Sequence, residues 1–335
     1  MLGGCATYRS YFGSRQTALL LPTTGEGASI GQNMARAASL VLPATPDQPR
    51  AQVYDTADTV DGARLAARKA LDEGARILFG PLRADQTPAV LAEAGKIPVV
   101  TFSNDDRLAS EGAFVMGLTP AQSVATVFSY ARAEGVERVA LVARTGPLGT
   151  ASADAARRLA AAGGLQLTAV LLRDEAAGTA AALRDASGGT MPEAVFLPDG
   201  GSALLGFAEA LSGSGVQLMG GVQWGVLDLA AQGVLAGSWF AAPPPEPFVQ
   251  FLDTFEARFG EGAGVVTGLG HDAAMVAALL GPSGQLSRDG LTRKEGFTGV
   301  LGPFHFLPDG RCQRDLAVLS IENGGLVTLA EVTGT

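Results

Sequence analysis

From Ala75 to Asp105 the chain runs Ala-Arg-Ile-Leu-Phe-Gly-Pro-Leu-Arg, then a short stretch at helical spacing, then Ile-Pro-Val-Val-Thr-Phe-Ser-Asn-Asp. Two apolar runs of strand length with a helix between them predict neighbouring parallel strands joined by a right-handed crossover. Each run ends in small or polar residues. Hydroxyls and backbone N–H groups therefore collect at one edge of a parallel sheet, which is where open α/β folds hold their ligands.

The same unit recurs along the chain. Thr17 to Pro22 is a continuous apolar run, Thr23 to Ser29 a Gly-rich loop, and Ile30, Met34, Ala37 and Val41 follow at helical spacing. Ala51 to Asp55 alternates like a strand, and Val60, Ala63, Ala67 and Ala70 lay a small apolar face along the helix after it. A short strand at Phe114 to Leu118 closes this series. A helix from Pro120 to about Glu134, stopped by Gly135, opens a second one. Its strands are Arg138 to Val142, Leu165 to Leu172, Ala194 to Leu197 and Val216 to Met219, and its helices Ala151 to Ala162, Ala176 to Ala186 and Ser202 to Leu211. Val234 to Phe240 reads as a further strand. Ala241 to Pro247 reads as an extended crossing between lobes, since consecutive prolines exclude helix. An aromatic helical face (Phe248, Phe251, Phe255, Phe259), a helix from Gly268 to about Leu280, and short strands with tight turns from Phe297 onward complete the pattern.

At 335 residues the length favours two domains over a single core. With 47% hydrophobic and 17% charged residues and 45 glycines, the composition is that of a compact globular chain rather than a disordered one. A net charge of −9 and the absence of any basic stripe exclude a nucleic-acid partner. No run approaches the roughly 20 apolar residues of a membrane span. Cys5, Cys312, His271 and His305 make neither a disulfide framework nor a zinc site, and no phosphate loop or nucleophile elbow is present. Neither a cofactor nor a catalytic centre is expected. His271 and Asp272 are adjacent, but neighbours on a helix do not face one another, and His305 reads as a surface residue of a strand.

Leu2-Gly3-Gly4-Cys5 resembles the lipobox of bacterial lipoproteins, which implies a lipid on Cys5 and a tether over residues 1–16. Any membrane link is then through the lipid alone, placing the protein in the periplasm. The rest resembles the type I periplasmic solute-binding proteins, specifically the leucine/isoleucine/valine-binding family and the related penicillin-binding-protein activator lipoproteins. That resemblance rests on Leu20-Leu-Pro-Thr-Thr-Gly25, Gly80-Pro-Leu82, Pro98-Val-Val-Thr-Phe-Ser-Asn104, Gly270-His-Asp-Ala-Ala274 and Phe297-Thr-Gly-Val-Leu-Gly302 with Asp309-Gly310. It implies an α/β fold of two Rossmann-like lobes with parallel sheets joined by a multi-strand hinge. The N-terminal lobe is expected over 17–119 and 243–315, and the C-terminal lobe over 120–242 and 316–335.

In such proteins the lobes close on a small ligand, with hydroxyls and N–H groups of the first lobe on its carboxylate. Carried over, the first-lobe positions are Leu82, Arg83, Thr101, Phe102 and Ser103. Arg83 suits a bidentate anion contact, or is an exposed helix-start arginine. The second lobe offers Leu148 where the family commonly has tyrosine, Asp199 as a ligand anchor or a turn residue, and Trp224, which stacks on ligand or packs between domains. Expected partners are a small polar or carboxylate-bearing metabolite and an ABC permease. The alternative is an activator-like lipoprotein contacting a cell-wall synthase.

Overall fold

The computed structural model describes residues 17–42 and 51–335; the tether expected over 1–16, with Cys5, lies outside the described residues. A first sheet is built from β1 (Thr17–Leu21), β2 (Ala51–Asp55), β3 (Ile77–Phe79), β4 (Val99–Thr101) and β5 (Phe114–Val115), all parallel and in the order β2-β1-β3-β4-β5. Helices α1 (Ala28–Val41), α2 (Val60–Asp72) and α3 (Thr87–Ala94) form the crossovers. Thr59 caps α2 by accepting from the Gly62 N–H, which fixes where the loop after β2 turns into helix.

The second series runs α4 (Pro120–Ala133), β6 (Arg138–Ala143), α5 (Pro147–Gly163), β7 (Gln166–Leu172), α6 (Thr179–Ala186), β8 (Ala194–Leu197), α7 (Gly201–Leu211), β9 (Gln217–Gly220) and β10 (Trp239–Ala242). The chain then returns to the first lobe through α8 (Pro245–Phe259) and α9 (Val265–Leu280), and α9 packs along α1. A three-stranded antiparallel sheet follows, β11 (Phe297–Gly299), β12 (Gly302–Phe306) and β13 (Cys312–Arg314). Phe306 meets Phe114 of the first sheet edge to face, at 5.4 Å between ring centres. Finally β14 (Leu316–Glu322) and β15 (Gly325–Val332) add antiparallel to the second sheet, whose order is β15-β14-β10-β9-β8-β6-β7.

The chain thus leaves the first sheet after β5, leaves the second after β10, and rejoins the second at β14. The first crossing is anchored by a capping box: Thr119 and Gln122 bond each other's backbone, and Gln122 Nε2 donates to the Cys312 carbonyl at 2.8 Å. One apolar core joins the first sheet, α4 and one face of the second sheet, while another on the opposite face holds Phe207, Trp224 and Phe240.

Three local expectations are corrected. The span Val234 to Phe240 opens inside a short 3₁₀ turn (Gly233–Leu235), and the strand begins only at Trp239. The prolines after Ala242 do not stay extended: Pro245 starts α8, where its missing N–H does no harm because first-turn donors have no helical partner. Gly146-Pro-Leu-Gly149 is likewise no loop, since Pro147 begins α5 four residues before the expected start.

Candidate functional site

The carboxyl ends of β3 and β4 point across a gap at the carboxyl end of β9. Their following loops bound a cleft of about 960 Å³ between the lobes, a size suited to a small organic ligand. On the first-lobe side stand Leu82, Arg83, Phe102, Ser103 and Asn104, with Ile30 and Asn33 from α1 and Val265, Val266 and Leu269 from α9. The second lobe contributes Val222, Gln223 and Gly225 from the short turn after β9. A narrow recess continues beside them, reaching Ser123, Leu148, Ser152 and Pro198.

Two aspartates hold the first-lobe edge in shape. Asp55, at the end of β2, accepts from Thr23 N–H (2.8 Å), Thr24 N–H (3.1 Å), Thr24 Oγ1 (2.6 Å) and Ala57 N–H (2.9 Å). Burial pushes its pKa up, but these bonds outweigh it and hold the value at about 2. Asp58, whose backbone is left-handed (φ 54°), accepts from Arg83 Nε (2.6 Å) and Nη2 (2.7 Å), from the Gly27 N–H (2.9 Å) and from Gln86 Nε2 (3.4 Å). The hydrogen bond from Arg83 is the main reason its carboxyl stays below the usual range. The loops after β1, β2 and β3 are thereby tied to one carboxylate. Asp58 engages Nε and Nη2 of Arg83, and among the described residues Nη1 has no partner. A guanidinium is held at the cleft wall with donors to spare.

Four of the expected residues line the main cleft: Leu82, Arg83, Phe102 and Ser103. Ser103 is 4% exposed and its Oγ accepts from the Asp105 N–H at 3.1 Å, which leaves its own O–H to donate. Leu148 lies in the recess rather than the main cleft. Thr101 is fully buried behind the wall; its hydroxyl bonds Thr87 Oγ1 (2.9 Å) and the Pro81 carbonyl (3.2 Å) and accepts from the Ser103 N–H (3.2 Å), so it supports the loop from within. Asp199 is also behind the wall. Its Oδ2 accepts from the Arg144 N–H at 2.9 Å, clasping the ends of β6 and β8, and burial raises its pKa against that bond.

Trp224 is neither at the ligand wall nor between domains. It is fully buried in the second lobe, stacked on Phe240 at 5.8 Å, with Nε1 donating to the Leu197 carbonyl at 2.9 Å. Gly220 makes room for it, since a Cβ there would enter the indole ring.

The profile of one family, described as periplasmic binding protein, matches residues 16–325. This chain belongs to that family, as a type I periplasmic binding protein. A search of curated proteins finds no match. Among solved structures, the chain is similar to a protein from Rhodospirillum rubrum assigned as a branched-chain amino acid ABC transporter, at 22% identity and TM-score 0.81, covering 93% of this chain and 99% of that one. It is similar also to a branched-chain amino acid ABC transporter periplasmic ligand-binding protein from Burkholderia xenovorans (18%, TM-score 0.78, 95% of each chain). A third is a solute-binding protein of an ABC transporter from Rhodopseudomonas palustris, in complex with 3,4-dihydroxybenzoic acid (18%, TM-score 0.70, 95% and 97%). At these identities the likeness is one of fold. Members of the family are periplasmic solute-binding proteins and not enzymes. Among the described residues no helix is long and apolar enough to cross a membrane.

Two features of this periplasmic binding protein have no signature in its sequence. Asp58 gives no local signal, because its partner is 25 residues away. Asp272, in α9, is wholly buried and accepts from Val300 N–H (2.7 Å) and from Arg314 Nη1 (3.1 Å), with Arg314 also wholly buried and its guanidinium 4.3 Å from the Phe304 ring centre. His271 lies beside it at 3.6 Å and meets Phe251 edge to face. The adjacent pair is part of the packing between α9 and the β11–β13 sheet. Cys312, on the same strand as Arg314, is a buried free thiol whose pKa burial raises to about 11.

Proposed function

We propose that this protein is a solute-binding component of an ABC-transporter system, lipid-anchored through Cys5, whose two lobes close by hinge motion on a small carboxylate-bearing metabolite. The observation that carries this reading is the cleft itself. It is lined from both lobes, with Arg83 Nη1, Ser103 and Asn104 presented at one wall and a neutral wall opposite. Donors fixed at a sheet's carboxyl edge suit an anionic head group. Solved structures of the same fold include proteins named for branched-chain amino acids and one holding a dihydroxybenzoic acid, which keeps amino acids and other carboxylates both in view. In this reading the lobes are 17–119 with 243–315, and 120–242 with 316–335. The ligand favours the closed state through the interactions it makes only when both walls meet it.

Isothermal titration of the protein against amino acids and small carboxylates tests this. Binding is expected, and weakening on Arg83→Ala and Ser103→Ala; silence across the panel removes the reading. An activator-like role is separated by pull-down from envelope extract, where recovery of a cell-wall synthase together with silent titrations would favour protein contact over solute binding.

A further inference from the structure

The two walls of the cleft differ in charge, and the difference narrows the ligand. Around the first-lobe edge the carboxylates of Asp55 and Asp58 are engaged by backbone and side-chain donors, and that of Asp105 by Arg107 at 2.6 Å. Asp85 is the one acid among the described lining residues, and it stands exposed on the same turn as Arg83, at the end where an anionic head group is drawn. The opposite wall, Val222, Gln223 and Gly225, is uncharged, as is the recess beside it. Behind that wall Asp199 is 8% exposed and clasps Arg144. The cleft also shows large apolar side chains to solvent: Ile30 is 44% exposed and Val266 41%.

We infer that the cleft is built for a monocarboxylate with an apolar body and no ammonium group, an aromatic or branched aliphatic acid, and that it rejects the matching α-amino acid. This rests on the solute-binding reading above. A carboxylate finds Arg83 Nη1 and the Ser103 hydroxyl, and an apolar body covers Ile30 and Val266. An α-ammonium group lies one carbon from that carboxylate, so it enters beside the same guanidinium. It meets no acid on the facing wall, and the acids that act on Arg83 from its own side, Glu26 and Asp85, are both exposed, so an ion pair with either is screened by water and returns little of the lost hydration.

Titrations of the full chain with matched pairs test the inference: 4-methylpentanoate against leucine, and 3-phenylpropanoate against phenylalanine. The acid of each pair is expected to bind about tenfold or more tightly than its amino acid, a difference of about 1.4 kcal/mol, and Arg83→Ala is expected to weaken the acid. Equal or tighter binding of leucine or phenylalanine overturns the inference while leaving solute binding intact. If that binding is lost on Asp85→Asn, the rim acid is identified as the ammonium's partner. Silence from both members of both pairs overturns the inference together with the solute-binding reading on which it rests.

Discussion

Two arginine–aspartate pairs in this protein look alike on paper and are opposites in the structure. Asp58–Arg83, at the rim of the cleft, is a two-bond fork, and the same carboxylate takes two more donors, so every oxygen is satisfied while one guanidinium nitrogen stays available to the cleft. Asp272–Arg314 is wholly buried and is joined by one 3.1 Å bond, with Arg314 Nε and Nη2 unpartnered among the described residues and the Gly302 carbonyl 3.4 Å from Nη1. The rim pair is a device for aiming a cation. The core pair couples α9 to the strand that leads into the second lobe, and its stability hangs on both charges being present together.

The largest effect should come from splitting the core pair. Asp272→Ala or Arg314→Ala leaves a charge buried without its partner and is expected to cost about 3–5 kcal/mol, read as a lower urea midpoint. The double change Asp272→Leu with Arg314→Met should recover most of the loss, and a double variant as unstable as either single one would mean that the pair's hydrogen bonds rather than its charges hold the site. Next comes Asp58→Ala, which releases three loops. The expected cost is about 1–3 kcal/mol with, unlike the core variants, a loss of ligand affinity similar to that of Arg83→Ala; an unchanged affinity would show that Arg83 needs no orienting partner.

Trp224→Phe probes the boundary between cleft and core. It removes the bond to the Leu197 carbonyl, for a loss of about 1–3 kcal/mol, and should leave ligand affinity unmoved; weaker binding at full occupancy of the folded state would return Trp224 to the ligand wall. The smallest effect is in acid. The Asp55 pKa falls from 3.8 to about 2 and that of Asp58 is lowered too, so the folded state binds protons less readily than the unfolded chain. Their contribution is fully present above pH 4 or so and is lost as pH falls through about 2. Asp55→Asn should flatten this part of a stability scan against pH, and an unaltered acid limb would assign it to other carboxylates.

The layer architecture was readable because its signals are local. Runs such as Thr17 to Leu21, all buried, and the small apolar face of Ala63, Ala67 and Ala70 on α2 announce strand and helix within a few residues. Half of the cleft was readable for the same reason: Leu82, Arg83, Phe102 and Ser103 directly follow strands that end at one sheet edge. What failed was anything decided at long range. Pro245 and Pro247 suggest extension until the helix they begin is seen, since a proline in a first turn and one in a linker look identical in a sequence. Trp224 and Asp199 sit at strand ends like true cleft residues, yet the partners that draw them inward, Leu197 and Arg144, lie 27 and 55 positions away.

The turn after β9 has a consequence beyond its geometry. Trp224 is nailed into the core at the middle of a five-residue turn, while Val222, Gln223 and Gly225 on either side face the cleft. The residue that secures the fold and those that line the cleft are therefore separate letters of one short word. Replacements at 222, 223 and 225 can change what the second lobe accepts without disturbing the nail, so this turn is where a new specificity could be acquired with the least disruption, by drift in nature or by selection from a small library.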